Sequence, residues 1–127
     1  MDYISEGMFS FNDIILNKDF SFSDFTKTKY YNNQDSVREI KLEDIQVFES
    51  HNFIVTIRFD DGLLSLITLY CIDDNINLDF EHEKERKEKH DLILKEWGVQ
   101  KKYNWGMIES VYEPRSNAAL ILIEYFR

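Results

Sequence analysis

The sequence predicts an α+β protein in which a mainly antiparallel sheet of about five to seven strands packs against one long helix that precedes the last hairpin. Three observations predict this fold: a hairpin around Asp-Gly, a long charged stretch of helical character, and a final pair of apolar strands. The chain has 127 residues, 43% of them hydrophobic, which suits one domain, so we assign residues 1–127 to a single domain.

The best-defined element is the hairpin of residues 53–60 and 63–72. Asp61 and Gly62 form a two-residue connection of the kind that requires positive φ at both positions. Counting outward from this turn pairs Asp60 with Leu63, Phe59 with Leu64, Ile57 with Leu66, Val55 with Thr68, and Phe53 with Tyr70. This register places Leu66 and Tyr70 on the core face of the second strand.

A second hairpin is predicted at the end of the chain, from residues 106–113 and 118–126. Pro114 presets the turn between them, and Asn117 readily adopts a left-handed conformation. The last strand is apolar on both faces, which is typical of a central strand. Gly106, next to Trp105, is expected to let the strand begin against the end of the helix.

The region before the first hairpin predicts shorter elements. Residues 37–42 and 45–49 are typical of two short strands, and "SFSDFTKTKYY" is typical of a capped short helix anchored by Phe25. Cys71, the only cysteine, is expected to be a small core residue.

The long helix is predicted from Asp79, a good N-cap, to Trp97, with Gly98 as the stop. Residues 81–89 are all polar, so this half is expected to project into water or toward a partner, supported by Glu83–Lys87 and Glu85–Lys89 pairs. The apolar stripe of Ile93, Leu94 and Trp97 is expected to dock on the sheet. Trp97 and Trp105 are expected to cap the core.

The stretch "CIDDNINLDFEHEKERKEKH" superficially resembles a calcium loop that begins at Asp73. Leu78 stands where such a loop needs Gly, and Lys84 stands where it needs a bidentate Glu. We interpret the alternation as a half-buried strand, with Asn75, Asn77 and Asp79 on its polar side and Ile76, Leu78 and Phe80 on its apolar side. His82 and His90 would lie about 12 Å apart along a helix axis. The sequence therefore predicts no metal site and no cofactor.

Catalytic motifs are missing from the sequence. It contains no Gly-x-Ser-x-Gly elbow and no glycine-rich phosphate loop, and its adjacent acidic pairs are typical of turns. We therefore predict a non-enzymatic protein without catalytic residues. A hydrolase that uses His90 with a nearby carboxylate is the enzymatic alternative.

The charge favours a basic protein partner. A net charge of −9 and a pI near 4.7 disfavour nucleic acid and anionic membranes. The N-terminus lacks the pattern of a signal peptide, and no apolar stretch reaches the roughly 20 residues of a membrane span, so we expect a cytoplasmic location. We expect the partner to bind the acidic helix start and the preceding turn: Asp73, Asp74, Asp79, Glu81, Glu85 and Glu88.

The last fifty residues combine a Lys/Glu-rich helix, a Tyr-x-Trp-Gly segment and an apolar hairpin, in "EKHDLILKEWG", "YNWGMIESVYEPRS" and "ALILIEY". This combination resembles small single-domain immunity-type proteins of bacterial polymorphic and contact-dependent toxin systems. The resemblance implies a protein that binds and blocks a basic toxin domain, and it brings no catalytic residues with it.

Two further alternatives remain open. The aromatic content is compatible with a small-molecule-binding domain whose pocket lies between sheet and helix. An exposed strand edge is compatible with a homodimer as well as a monomer.

Overall fold

The computed structural model describes residues 3–35, 37, 39–73 and 83–127. In chain order the elements are a 3₁₀ turn (Ile4–Glu6), β1 (Phe9–Ser10), β2 (Ile15–Leu16), α1 (Phe22–Phe25), β3 (Glu39–Lys41), β4 (Gln46–Phe48), β5 (His51–Asp60), β6 (Leu63–Cys71), α2 (Glu83–Trp97), β7 (Gly106–Glu113) and β8 (Ala118–Tyr125). The strand predicted around Ile76, Leu78 and Phe80, with the N-cap Asp79, lies outside the described residues.

The predicted α+β fold class is confirmed. The main sheet is antiparallel, in the order β3-β5-β6-β8-β7, and β4 also pairs with β5, while β1 and β2 form a separate hairpin. β8 lies between β6 and β7, as its two apolar faces predict. Within the described residues, no helix is long and apolar enough to cross a membrane.

The first hairpin turns where the sequence predicts, but its register is only partly right. Asp61 and Gly62 have φ values of 52° and 79°, and Phe59 does oppose Leu64. Beyond that pair a β-bulge at Ser65 shifts the register by one residue, so that Arg58 opposes Leu66 and Ile57 opposes Ile67. The Ser65 hydroxyl donates a hydrogen bond to the Arg58 carbonyl oxygen over 3.1 Å.

The bulge reverses the predicted faces of β6. The predicted pairs of Ile57 with Leu66, Val55 with Thr68 and Phe53 with Tyr70 are wrong: these β5 residues oppose Ile67, Leu69 and Cys71. Those three β6 residues are fully buried, whereas Leu66 and Tyr70 are only half-buried on the other face. The bulge thus keeps an apolar residue on the core side both before and after Ser65.

One face of the sheet carries the core, and α2 and the N-terminal elements cover it. Aromatic rings join these layers: Phe25 contacts Phe59 at 5.9 Å between ring centroids, and Phe48 contacts Trp97 at 5.1 Å. Trp97 and Trp105 are buried at the margin of this core, as predicted. Cys71 is a buried core residue, also as predicted. Large aromatic residues therefore fix α2 and the N-terminal segment on the same side of the sheet.

The short helix α1 has the predicted cap and anchor. The Asp24 amide donates to Ser21 Oγ and the Ser21 amide donates to Asp24 Oδ2, each over 3.0 Å. This reciprocal capping box lowers the pKa of Asp24, because the Ser21 amide stabilises the carboxylate. Phe25 is fully buried beneath it.

Substituting Ser21→Ala removes one half of this box. We expect the free energy of unfolding to fall by about 1 kcal/mol, because the Asp24 amide loses its acceptor. Chemical denaturation followed by circular dichroism measures the change. Ser23→Ala, at an exposed position of the same turn, is the matched control, and equal losses in the two variants would contradict the capping role.

The ends of the later elements follow local rules that the sequence predicts. α2 ends at Trp97, and Gly98 follows with φ 66° in the left-handed region. Asn117 has φ 50° in the turn of the last hairpin. Gly98 therefore ends α2, and Asn117 lies in the turn that joins β7 to β8.

Candidate functional site

The strands β6 and β8 separate beyond the pair of Leu69 with Ile121. Three side chains of α2 form hydrogen bonds with the backbone groups that have no strand partner there. The Ala119 amide donates to Glu83 Oε1 over 3.0 Å. Arg86 Nε donates to the Cys71 carbonyl oxygen over 2.9 Å, and the Cys71 amide donates to His90 Nε2 over 3.1 Å. These contacts replace ladder hydrogen bonds where the strands diverge.

Two opposite charges are buried where β6 and β8 separate, and they compensate each other. Glu83 and Arg86 are both buried and form an ion pair. The Tyr70 hydroxyl donates to Glu83 Oε2 over 2.8 Å, and its ring lies 4.2 Å from the Arg86 guanidinium carbon. Burial and the Glu83 carboxylate raise the pKa of Tyr70 to about 12, so the phenol stays protonated as a donor.

The prediction that residues 81–89 form a solvated surface is therefore wrong for Glu83 and Arg86. Glu83 pairs with Arg86 instead of Lys87, and Lys87 bonds to both carboxylate oxygens of Asp91 at 2.7 and 2.9 Å. The spacing of Glu83, Arg86, His90, Ile93 and Trp97 places all five on one helix face. That spacing was available in the sequence, but charged residues ordinarily face solvent.

His90, the candidate base of the hydrolase alternative, faces the strands. Its side chain has no solvent exposure, and Nε2 accepts the Cys71 amide. Burial, followed by the nearby Arg86 charge, lowers the pKa of His90 to about 3, so the ring is neutral. The Nε2 lone pair is committed to the backbone and is not presented to a substrate.

A second cluster lies at the open end of the β5–β6 hairpin and was not predicted. His51 begins β5, and Asp73 follows β6. His51 Nδ1 lies 2.7 Å from Asp73 Oδ2, and His51 Nε2 lies 2.6 Å from Glu96 Oε2 in the last turn of α2. Asp73 Oδ1 also accepts the Asn52 amide over 2.8 Å, and Lys89 Nζ lies 3.6 Å from Asp73 Oδ2.

The surroundings shift the pKa values of His51 and Asp73. Burial alone would lower the pKa of His51, but hydrogen bonds with Asp73 and Glu96 outweigh it and hold the pKa above its usual value. The pKa of Asp73 is lowered, since the Asn52 amide and His51 together outweigh the effect of burial. The buried Cys71 thiol lies beside them, and burial raises its pKa to about 11.

An apolar pocket of about 370 Å³ opens between the N-terminal elements and β4. Its lining consists of Tyr3, Ile4, Met8, Ser10, Ile15, Phe48 and Glu49. Tyr3 and Ile15 are 65% and 55% exposed, so this side of the pocket presents apolar surface to solvent. Glu49 stands in the two-residue turn between β4 and β5 with φ 47°, a conformation that non-glycine residues adopt rarely.

A second concavity lies between α2 and β7, where the sequence allows a small-molecule pocket. It measures about 350 Å³ and is open to solvent. Leu94 and Ile108 supply apolar contact area, and Lys95, Lys101 and Glu109 supply charge.

The predicted interface residues are not gathered into one acidic patch within the described residues. Glu85 and Glu88 are exposed on α2, whereas Asp73 is bonded to His51 and the Asn52 amide. Asp74, Asp79 and Glu81 lie outside the described residues. From residue 83 to 97 the helix carries five acidic and five basic residues, so its described part has no net charge.

Comparison of the chain with protein-family models, with curated proteins and with solved structures finds no match.

Proposed function

We propose that this protein is a non-enzymatic binding protein whose acidic N-terminal part binds a basic protein, as an immunity protein binds a cationic toxin domain. The observation that carries the proposal is the uneven distribution of charge. Residues 1–73 contain thirteen Asp and Glu against six Lys and Arg and residues 74–82 contain three against none, whereas residues 83–127 contain eight against nine. A basic partner is attracted to the part of the chain before residue 83 and not to the part that follows it.

The apolar pocket near β4 supplies the contact area that charge alone does not. Interface energy concentrates where a large side chain fills a desolvated pocket, and charged residues around it set orientation and association rate. A Lys or Arg of the partner can bury its aliphatic stem against Tyr3, Ile15 and Phe48, with its charged end at Glu49.

Exposed carboxylates continue around this pocket on neighbouring segments. Glu6 is exposed on the turn that follows Tyr3, and exposed Asp13 precedes Ile15, another residue that lines the pocket. Lys29 forms ion pairs with Asp13 and Asp44 at 2.9 and 3.0 Å, so one positive charge is shared by two carboxylates and the group keeps a net negative charge. Glu6 and Glu49, together with the negative charge that remains on the Asp13, Asp44 and Lys29 group, therefore define the acidic binding surface that we propose.

The experiment is a calorimetric titration with the product of the neighbouring gene, at low and high salt. We expect a complex whose affinity falls as salt rises, since exposed charges are screened. Glu49→Lys should weaken binding at least about tenfold through like-charge repulsion at the pocket.

Glu124→Lys is the matched control, because Glu124 is exposed on β8 and opposes Leu66 and Met107, away from the proposed surface. It makes the same change in net charge and should have little effect. Absence of a complex in both buffers, or equal losses in the two variants, would contradict the proposal.

A small-molecule-binding function is the second candidate, and the size of the same pocket favours it. A volume of about 370 Å³ falls in the range of ligand sites, and one carboxylate among apolar side chains is typical of a site for an amphipathic cation. Ile15→Glu would abolish such binding. A ligand that still bound this variant with unchanged affinity would have to occupy another site.

A further inference from the structure

Three different metal-ligand types meet at the open end of the β5–β6 hairpin. His51 is the first residue of β5, Cys71 is the last of β6, and Asp73 follows two positions later. One ligand atom from each, an imidazole nitrogen, the thiol sulfur and a carboxylate oxygen, lie within 4.8 Å of one another. Backbone pairing fixes this arrangement, because Phe53 opposes Cys71 and the Ile72 amide donates to the Asn52 carbonyl oxygen over 2.9 Å.

The orientation of the His51 ring suits a metal ligand. Nδ1 faces Asp73, and Nε2 on the far side of the ring contacts Glu96 Oε2 at 2.6 Å. Histidines that bind metals ordinarily donate their other ring N–H to a carboxylate, which fixes the tautomer and directs the free lone pair at the ion. Glu96 occupies the place of that carboxylate, and α2 holds it there.

We propose that His51 Nδ1, Cys71 Sγ and the Asp73 carboxylate form a binding site for a zinc-like divalent cation, with Glu96 as the residue that orients His51. The mixed nitrogen, sulfur and oxygen set suits Zn²⁺, whereas Mg²⁺ and Ca²⁺ prefer oxygen ligands alone. Three protein ligands leave a fourth coordination position for water. The site is independent of the proposed partner and departs from the sequence-based expectation of no metal site.

Binding requires two local changes, and the positive charge of the bound ion favours both. The Cys71 thiol must lose its proton, which passes to buffer as the sulfur–metal bond forms, and His51 must be neutral at Nδ1. A bound divalent charge favours the thiolate that burial otherwise disfavours. Lys89, which lies 3.6 Å from Asp73 Oδ2, would be repelled by the ion, and its side chain is already 26% exposed on the helix surface.

The test is titration of the purified, chelator-treated chain with Zn²⁺ and with Co²⁺ as a spectroscopic probe. We expect one ion per chain, a higher melting temperature with Zn²⁺, and a thiolate-to-cobalt charge-transfer band with the absorption of a tetrahedral site. Mg²⁺ should give none of these effects.

Two variants locate the ion, and circular dichroism verifies that each is folded. Cys71→Ser should abolish the charge-transfer band, and Glu96→Gln should weaken Zn²⁺ binding by about 10- to 100-fold while keeping the band. Glu85→Gln, an exposed carboxylate on the same helix, is the matched control and should bind like the parent chain. The proposal is overturned if the parent chain gives no cobalt–thiolate band, or if Glu96→Gln and Glu85→Gln bind Zn²⁺ equally well.

Discussion

Arg86→Met is expected to lower the free energy of unfolding by about 3–5 kcal/mol, which is the usual range for removing one partner of a buried ion pair. The substitution leaves the Glu83 carboxylate charged and buried, and it deprives the Cys71 carbonyl of its 2.9 Å hydrogen bond. Urea denaturation at neutral pH measures the loss. Arg86 has no solvent exposure, so water cannot take its place without local opening.

Two comparisons show whether the loss comes from the buried pair. Lys87→Met lies one position further on the same helix, on a partly exposed site, and should change stability by no more than about 0.5 kcal/mol. Adding Glu83→Gln to Arg86→Met should restore part of the loss, because a neutral amide is cheaper to bury and can still accept the Ala119 amide. A loss below about 1 kcal/mol in Arg86→Met would contradict the role of these side chains in closing the strand split.

Gly106→Ala is expected to cost at least about 3 kcal/mol, at the upper end of the range for overpacking. A Cβ at this position would overlap the carbonyl oxygen of Glu124 and lie 3.0 Å from its carbonyl carbon. Glu124 cannot retreat, because it is paired with Leu66 on one side and with Met107 on the other. The glycine is therefore required by the close approach of β8, and the expectation that it lets β7 begin against the end of α2 is wrong.

A variant of a second glycine, Gly62, separates this steric effect from the strain of a positive φ. Gly62→Ala meets no atom within 4 Å but must hold φ near 79°, so it should cost about 1–2 kcal/mol. Thermal unfolding of both variants in the same buffer shows which one loses more stability. A smaller loss for Gly106→Ala than for Gly62→Ala would show that β7 and β8 can move apart at this point.

Local sequence rules predict much of the fold because they act over a few residues. The Asp61-Gly62 turn, the capping box at Ser21 and the stop at Gly98 each follow from backbone requirements that only a few residue types meet. The register beyond Arg58 does not follow from such rules. Leu66 and Ile67 are both apolar, so alternation cannot choose which faces the core, and the packing of α2 and β8 decides it.

The same bulge explains why the His51 cluster could not be predicted. In the register counted from the turn, His51 would oppose Ile72, and the extra residue at Ser65 moves Asp73 into that position instead. The contact with Glu96 depends further on where α2 docks. The buried face of α2 could be recognised from the sequence, because its residues from Glu83 to Trp97 have the spacing of one helix face. Only the burial of charged side chains on that face was unexpected.

Hydrogen–deuterium exchange of the chain, alone and mixed with the product of the neighbouring gene, tests the proposed binding surface most directly. The proposal predicts slower exchange on binding in residues 3–16 and 46–50, which carry the apolar pocket and the carboxylates of Glu6, Asp13 and Glu49. Protection confined to residues 83–127, or unchanged exchange throughout the chain, would contradict it.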